Sequence, residues 1–192
     1  KHLQKTKLRN RYLDLRSKVL PDVENKIFDQ VQKKIESLVK TKNLKGYIGL
    51  YWPLPGEVDL RSLKESLDLP VALPVSGGNN NLRYHQWATN SLEKDICGIP
   101  SPTSQRILKP EEISLLIVPG IAIDQQFFRL GYGGGFFDRL RSNQDWRSIT
   151  TFVVLPKVCI SLKPLPRDIW DIPFNGWITE EGCFYPPTKI NK

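Results

Sequence analysis

The feature that most constrains the fold is the run Ile113-Ser-Leu-Leu-Ile-Val118, in which apolar residues occupy successive positions instead of alternating with polar ones. An alternating strand can leave one face in water, whereas this one must be covered on both. It therefore predicts a central strand of a parallel sheet with helices on either side. The flanking sequence supplies the neighbours. Tyr47 to Trp52 and Val71 to Val75 are short apolar runs bounded by Gly or Pro, and Leu60 to Leu67 reads as a helix between them, a βαβ pattern. Leu82 to Trp87 reads as a strand after the turn Ser76-Gly-Gly-Asn-Asn-Asn81. Further on, Phe136 to Ser142 reads as a helix, Ile149 to Leu155 as a strand and Trp177 to Thr179 as a short closing strand. With no internal repeat or linker, the expectation is one α/β domain over residues 1–192 with a mostly parallel sheet.

The first quarter differs in kind. Leu8, Tyr12, Leu15 and Val19 recur at helical spacing, and Pro21 is expected to stop that helix. Asp22 then reads as the N-cap of a second helix carrying Val23, Ile27, Val31, Ile35 and Leu38, so two basic amphipathic N-terminal helices are expected. The net charge of +8 is concentrated here, with 13 Lys or Arg against 5 Asp or Glu in residues 1–46 and 15 of each in the remainder. Such a field can attract nucleotide phosphates, a polyglutamate tail or a nucleic-acid backbone, or it can form solvated helix faces. No apolar stretch approaches the roughly 20 residues that cross a bilayer, and no apolar run of the secretory kind follows the basic start. Cys97, Cys159 and Cys183 are too widely spaced for a metal-binding or redox pair, so reduced thiols in a cytoplasmic protein are expected.

One segment carries chemistry. Gly131-Tyr-Gly-Gly-Gly135 follows the buried strand and its loop and precedes a helix, so its backbone amides could converge on an anion, although a tight structural turn would use the same glycines. It lacks the Gly-Lys-Ser/Thr ending of a P-loop, and it does not directly follow its strand as a dinucleotide fingerprint does. Its flanks favour nucleotide: Arg129 can pair with phosphate, and Asp138 offers a hard oxygen to the magnesium that accompanies ATP. An RNA-binding reading, with Arg129 to Phe137 as an aromatic strand, is weaker because three successive glycines make a poor strand.

The same run, Arg129-Leu-Gly-Tyr-Gly-Gly-Gly-Phe-Phe-Asp138, resembles the signature of the 5-formyltetrahydrofolate cyclo-ligase family, also called methenyltetrahydrofolate synthetases. Lys5-Thr-Lys-Leu-Arg9 is similar to that family's Lys-x-x-Leu-Arg motif, and Tyr51-Trp-Pro-Leu-Pro-Gly-Glu-Val-Asp59 to its pterin-binding loop. Gly98-Ile-Pro-Ser-Pro102, Val118-Pro-Gly-Ile-Ala-Ile-Asp124 and Trp170-Asp-Ile-Pro-Phe-Asn-Gly-Trp-Ile-Thr-Glu180 follow in family order. The chain departs from the pattern at Gly134, where many members have lysine, at Asn175 in place of an aspartate, and at Cys97, where some relatives place a tryptophan.

The resemblance implies a Rossmann-like, three-layer α/β domain of CoA-transferase-like type, acting as a monomer on 5-formyltetrahydrofolate, in monoglutamate or polyglutamate form, and ATP. It implies Mg2+ at Asp138 and Asp171, and no nucleic-acid or membrane partner. Lys5, Arg9, Arg129 and the stretch Gly131, Tyr132, Gly133, Gly134, Gly135, Phe136 and Phe137 would bind ATP. Trp52 and Glu57 would bind the folate together with Tyr132 to Phe136, and Arg129, Tyr132 and Asp138 would carry catalysis. By residue type alone Tyr132 could equally shape the loop, His85 reads as an ordinary strand residue, and Trp146, Trp170 and Trp177 read as packing.

Overall fold

In the computed structural model, which describes residues 2–186, the anchoring run is a strand whose side chains alternate between two apolar layers. Leu115 and Ile117 join one cluster, Leu116 and Val118 the other. The chain opens with helix α1 (His2–Lys42) and strand β1 (Tyr47–Gly49), then the short helix α2 (Leu63–Ser66) and the hairpin of β2 (Val71–Gly77) and β3 (Asn81–Gln86). A small antiparallel pair, β4 (Glu93–Lys94) and β5 (Pro100–Ser101), precedes β6 (Ile113–Pro119), β7 (Ala122–Asp124) and β8 (Arg129–Leu130). Helices α3 (Phe136–Ser142) and α4 (Gln144–Ser148) lead to β9 (Thr151–Val154), β10 (Ile160–Ser161), β11 (Gly176–Thr179) and β12 (Gly182–Phe184).

The main sheet has seven strands in the order β12-β11-β9-β6-β1-β2-β3. β11, β9, β6, β1 and β2 run parallel, and only the edge strands β12 and β3 are antiparallel. From β1 the chain first builds outward through β2 and β3, then returns to the other side of β1 and builds outward again from β6. The order therefore reverses between β1 and β6. In open α/β sheets a crevice opens there, beyond the carboxyl ends of the strands.

The two expected N-terminal helices are one. α1 runs through Pro21, and Asp22 caps nothing. Proline removes the amide that would bond the Ser17 carbonyl, but both residues are exposed, so water can satisfy the freed oxygen. On the opposite side the buried stripe continues past it: Tyr12, Arg16 and Leu20, then Ile27, Val31, Ile35 and Leu38. Seven residues separate Leu20 from Ile27, two helical turns, so both halves bury the same face and the helix stays in register. Asn43, in the left-handed region at φ 51°, follows its last turn.

The second half of α1 covers the sheet face formed by Ile48, Leu115, Ile117, Val154 and Ile178. Its first half packs through Tyr12 with Ile121, Leu130 and Cys159, residues lying just beyond the carboxyl ends of β6 and β9. The other sheet face is covered by Leu140 of α3 and Trp146 of α4, the latter stacked on Tyr84 at 5.7 Å.

Smaller differences have local causes. The predicted helix Leu60 to Leu67 contracts to α2, preceded by tight turns in which Leu63, Lys64 and Glu65 each donate three residues back. Trp177 to Thr179 is not the last strand, because β12 pairs antiparallel to it. Among the described residues no helix is long and apolar enough to cross a membrane.

An uninterrupted α1 makes Pro21 an unfavourable residue in a helix interior. Pro21→Ala should raise the unfolding free energy by up to about 3 kcal/mol in urea titration; a loss of stability would contradict helical backbone at this position.

Candidate active site

The reversal between β1 and β6 opens into a cavity of about 500 Å3, and every binding or catalytic residue expected from the sequence stands on its wall. Trp52 and Glu57 arrive from the segment after β1. Arg129 and Gly131 to Gly135 arrive from β8 and the loop after it, Phe136, Phe137 and Asp138 from the first turn of α3, and Asp171 from the segment before β11. Lys5 and Arg9 come from the first turns of α1, one helical turn apart.

The glycine run is a loop, not a strand, which removes the surface an RNA-stacking reading would need. Gly133 and Gly135 hold φ of 107° and 68°, the region where a Cβ is strained. The loop's outward carbonyls are fixed from outside: Arg9 Nε donates to Gly131 O at 2.7 Å, while Arg139 and Asn80 donate to Gly134 O at 2.7 and 2.8 Å. Asn80 lies at the tip of the β2–β3 hairpin, so the hairpin and α1 clamp the loop from two sides.

Arg129 is partly buried, with its guanidinium 5.0 Å from the Phe137 ring and 5.5 Å from Phe174, and it donates to Pro119 O at 2.9 Å. Burial of the guanidinium weakens its hold on its proton, opposed chiefly by Asp138 and Glu57. Glu57 is only 6% exposed. Its Oε2 accepts from Leu54 N at 2.8 Å, and its Oε1 is buried with no hydrogen-bond partner among the described residues. Burial raises the Glu57 carboxyl above the usual range, opposed by the Leu54 amide, Arg16 and Tyr132. A half-satisfied carboxylate beside an aromatic wall suits a ligand that presents a fork of N–H donors.

Lys5 Nζ lies 2.9 Å from Asp168 Oδ2 and 3.7 Å from Asp171 Oδ2, and Asp171 Oδ2 also accepts from Asp168 N at 2.7 Å. Among the described residues no three His, Cys, Asp or Glu gather into a closed metal cage. Asp138 and Asp171 offer hard oxygens on one cavity, a donor set that fits magnesium, which commonly uses one or two carboxylates plus phosphate oxygens. Asn175 serves the sheet instead, since its Oδ1 accepts from Thr151 N at 2.8 Å and fixes the start of β9. His85 is buried in β3, with Nδ1 3.1 Å from Pro102 O.

The family model described as "5-formyltetrahydrofolate cyclo-ligase family" matches residues 1–180. The chain belongs to the 5-formyltetrahydrofolate cyclo-ligase family. Among curated relatives, the 5-formyltetrahydrofolate cyclo-ligase of Escherichia coli K12 is 31% identical over 141 residues, covering 69% of this chain and 76% of the relative. That of Haemophilus influenzae is 30% identical over 148 residues, covering 71% and 76%. The solved structure of the 5,10-methenyltetrahydrofolate synthetase of Aquifex aeolicus superposes with a TM-score of 0.77 at 26% identity, covering 98% of this chain and 99% of that one. The Mycoplasma pneumoniae synthetase shares the fold, with a TM-score of 0.69 at 19% identity over 92% of this chain and 99% of that one.

Within this cyclo-ligase family member, two residues escaped the sequence reading. Asp168 pairs with Lys5, and its only signal was its place three residues before Asp171. Arg16, buried behind the wall, donates to Tyr132 Oη at 2.7 Å. Its signal was position: a charge four residues from both Tyr12 and Leu20, inside the apolar stripe.

Because Glu57 is held above the ordinary carboxylate range, ionising it costs more in the folded chain than in the unfolded one. The stability linked to its protonated form is present below the unfolded pKa and is lost as pH rises through the folded one. Glu57→Gln should therefore melt above the wild type at pH 8, by on the order of 1 kcal/mol, with the gap closing toward pH 4. Thermal melts at the two pH values check this.

Proposed function

We propose that this chain converts 5-formyltetrahydrofolate and ATP into 5,10-methenyltetrahydrofolate, ADP and phosphate, with magnesium. The observation that carries the reading is that one cavity holds two chemically distinct halves. Cations and a glycine loop form a nucleotide half, and Trp52 with the under-bonded Glu57 forms a pterin half.

A formamide is a poor electrophile, and its oxygen is a poor leaving group. In the proposed route the formyl oxygen attacks the γ-phosphorus of ATP, the bond to the β,γ-bridging oxygen breaks, and ADP leaves. N10 of the folate then attacks the activated formyl carbon and closes a five-membered ring. Phosphate departs with the former formyl oxygen, and the N10 proton passes to solvent. Such chemistry needs positioning and spread of charge more than a protein nucleophile.

Lys5, Arg9 and Arg129 supply the cations, and the glycines allow close approach of backbone to phosphate. Glu57 accepts from the amino and ring N–H groups of the pterin and fixes its orientation, while Trp52 packs beside it. Phe136 and Phe137 help exclude water, and Tyr132 stands between the two halves, where it can contact either substrate. Asp138 and Asp171 would hold magnesium, which when bound draws charge from the phosphoryl oxygens. The folate, as monoglutamate or polyglutamate, and ATP are the only partners proposed for this one-domain chain; it is proposed to work as a cytoplasmic monomer.

Absorbance growth of the methenyl product on mixing protein, 5-formyltetrahydrofolate, magnesium and ATP tests the reading; no growth overturns it. Asp138→Asn should lower turnover at least about tenfold, roughly the 1.4 kcal/mol expected for losing a charged ligand. Glu57→Gln should weaken folate binding by calorimetry and leave nucleotide binding unchanged.

A further inference from the structure

Arg16 is 2% exposed, a cation withdrawn from water that makes no ion pair among the described residues. Such a charge is costly to bury unless its donors are used. Its NH1 donates to Gly120 O at 3.1 Å and its NH2 to Tyr132 Oη at 2.7 Å, while its Nε is buried without a partner. A Cβ built on Gly56 would stand 3.5 Å from NH2, so the backbone just before Glu57 passes beside the same group. One guanidinium thus bonds the residue after β6 and the glycine loop, and lies beside the backbone that leads into Glu57.

The direction of these bonds follows from chemistry. A guanidinium can only donate, so the Tyr132 oxygen must accept from it, and the single phenolic proton is turned elsewhere. Glu57 Oε1, buried without a hydrogen-bond partner among the described residues, is an open acceptor on the same cavity wall, and Glu57 and Tyr132 each shift the other's hold on its proton. We propose that Arg16 is a positioning residue that aims the Tyr132 hydroxyl at Glu57 and so sets the glycine loop and the folate-orienting carboxylate as one unit. This deepens the cyclo-ligase reading and rests on it for the role of Glu57.

The charged or titratable groups that bear on Glu57 are Arg16 from α1, Tyr51 after β1, Tyr132 on the loop and Arg129 on β8. Tyr51 is buried and neutral, with its hydroxyl spent on Val58 O at 2.8 Å. Arg16 and Arg129 are therefore the cations that favour ionised Glu57, the form in which both oxygens accept and neither donates.

The test is a cycle of Arg16→Lys, Tyr132→Phe and the double variant, with Arg16→Gln as the charge-removing arm. Arg16→Lys keeps the charge and loses the fork, so it should raise KM for 5-formyltetrahydrofolate by about tenfold with KM for ATP little changed. In the Tyr132→Phe background the same change should cost less than about threefold, because the link is already cut. Equal effects in both backgrounds would mean that Arg16 only packs, and overturn the proposal.

Arg16→Gln should move the acid limb of kcat/KM for the folate up by about one pH unit, and Arg16→Lys should restore it. The Glu57 carboxyl is also titrated directly by 13C NMR in ligand-free protein, its signal assigned by its loss in Glu57→Gln. A value in Arg16→Gln about one unit above wild type is expected, and an unmoved value overturns the proposal. If the wild type forms no methenyl product, the cyclo-ligase reading fails and this titration still decides the role of Arg16. If Arg16→Gln does not fold, the cycle with Arg16→Lys decides it.

Discussion

The structure depends on one requirement: β6 is apolar on both faces, and both must be kept from water. A parallel sheet with helices above and below is the economical solution. The strands placed on either side of β6, β1 and β9, bring their carboxyl ends to the same edge. The helix that covers one face is long enough to continue past that edge. Burial of α1 from Leu20 to Leu38 thus carries Lys5 and Arg9 to the cavity, and the packing of the core and the placement of the site's cations have the same cause.

Strong burial patterns were readable, and tertiary compensation was not. The runs in β1, β2, β3, β6, β9 and β11 were legible because each packs through successive or alternating apolar residues, and α3 was legible because glycines mark its start. Pro21 misled because its cost was weighed locally, whereas the buried stripe on both sides of it holds the helix through. β4, β5, β8 and β10 are only two residues long, too short to leave a periodic pattern. β12 is three residues that gain partners only when β11 is already in place.

The wall of the cavity was legible because its residues sit in motifs of distinctive composition: glycines beside aromatics, cations one turn apart, a glutamate behind two prolines. Arg16 and Asp168 were not, because their meaning lies in what they touch. A lone arginine in an amphipathic helix looks like any solvated charge until the fold shows that it faces inward. Gly134 has on its carbonyl Arg139, five residues on, and Asn80, 54 residues back, and the distant half of that clamp has no local signature.

The length of α1 gives the site a mechanical property. From Ile27 in the core to Lys5 in the cavity the helix spans 22 residues, about 33 Å at 1.5 Å per residue. Tyr12, Arg16 and Leu20 are buried along that length, so the helix is held to within seven residues of Lys5, about 10 Å, and a tilt of about six degrees at Tyr12 is needed to displace Lys5 by about 1 Å, a misplacement of the size that costs an enzyme orders of magnitude in rate. Alignment at the mouth of the cavity therefore rests on Tyr12, Arg16 and Leu20, and looseness at Ile27, Val31 and Ile35 is intercepted by these contacts before it reaches Lys5.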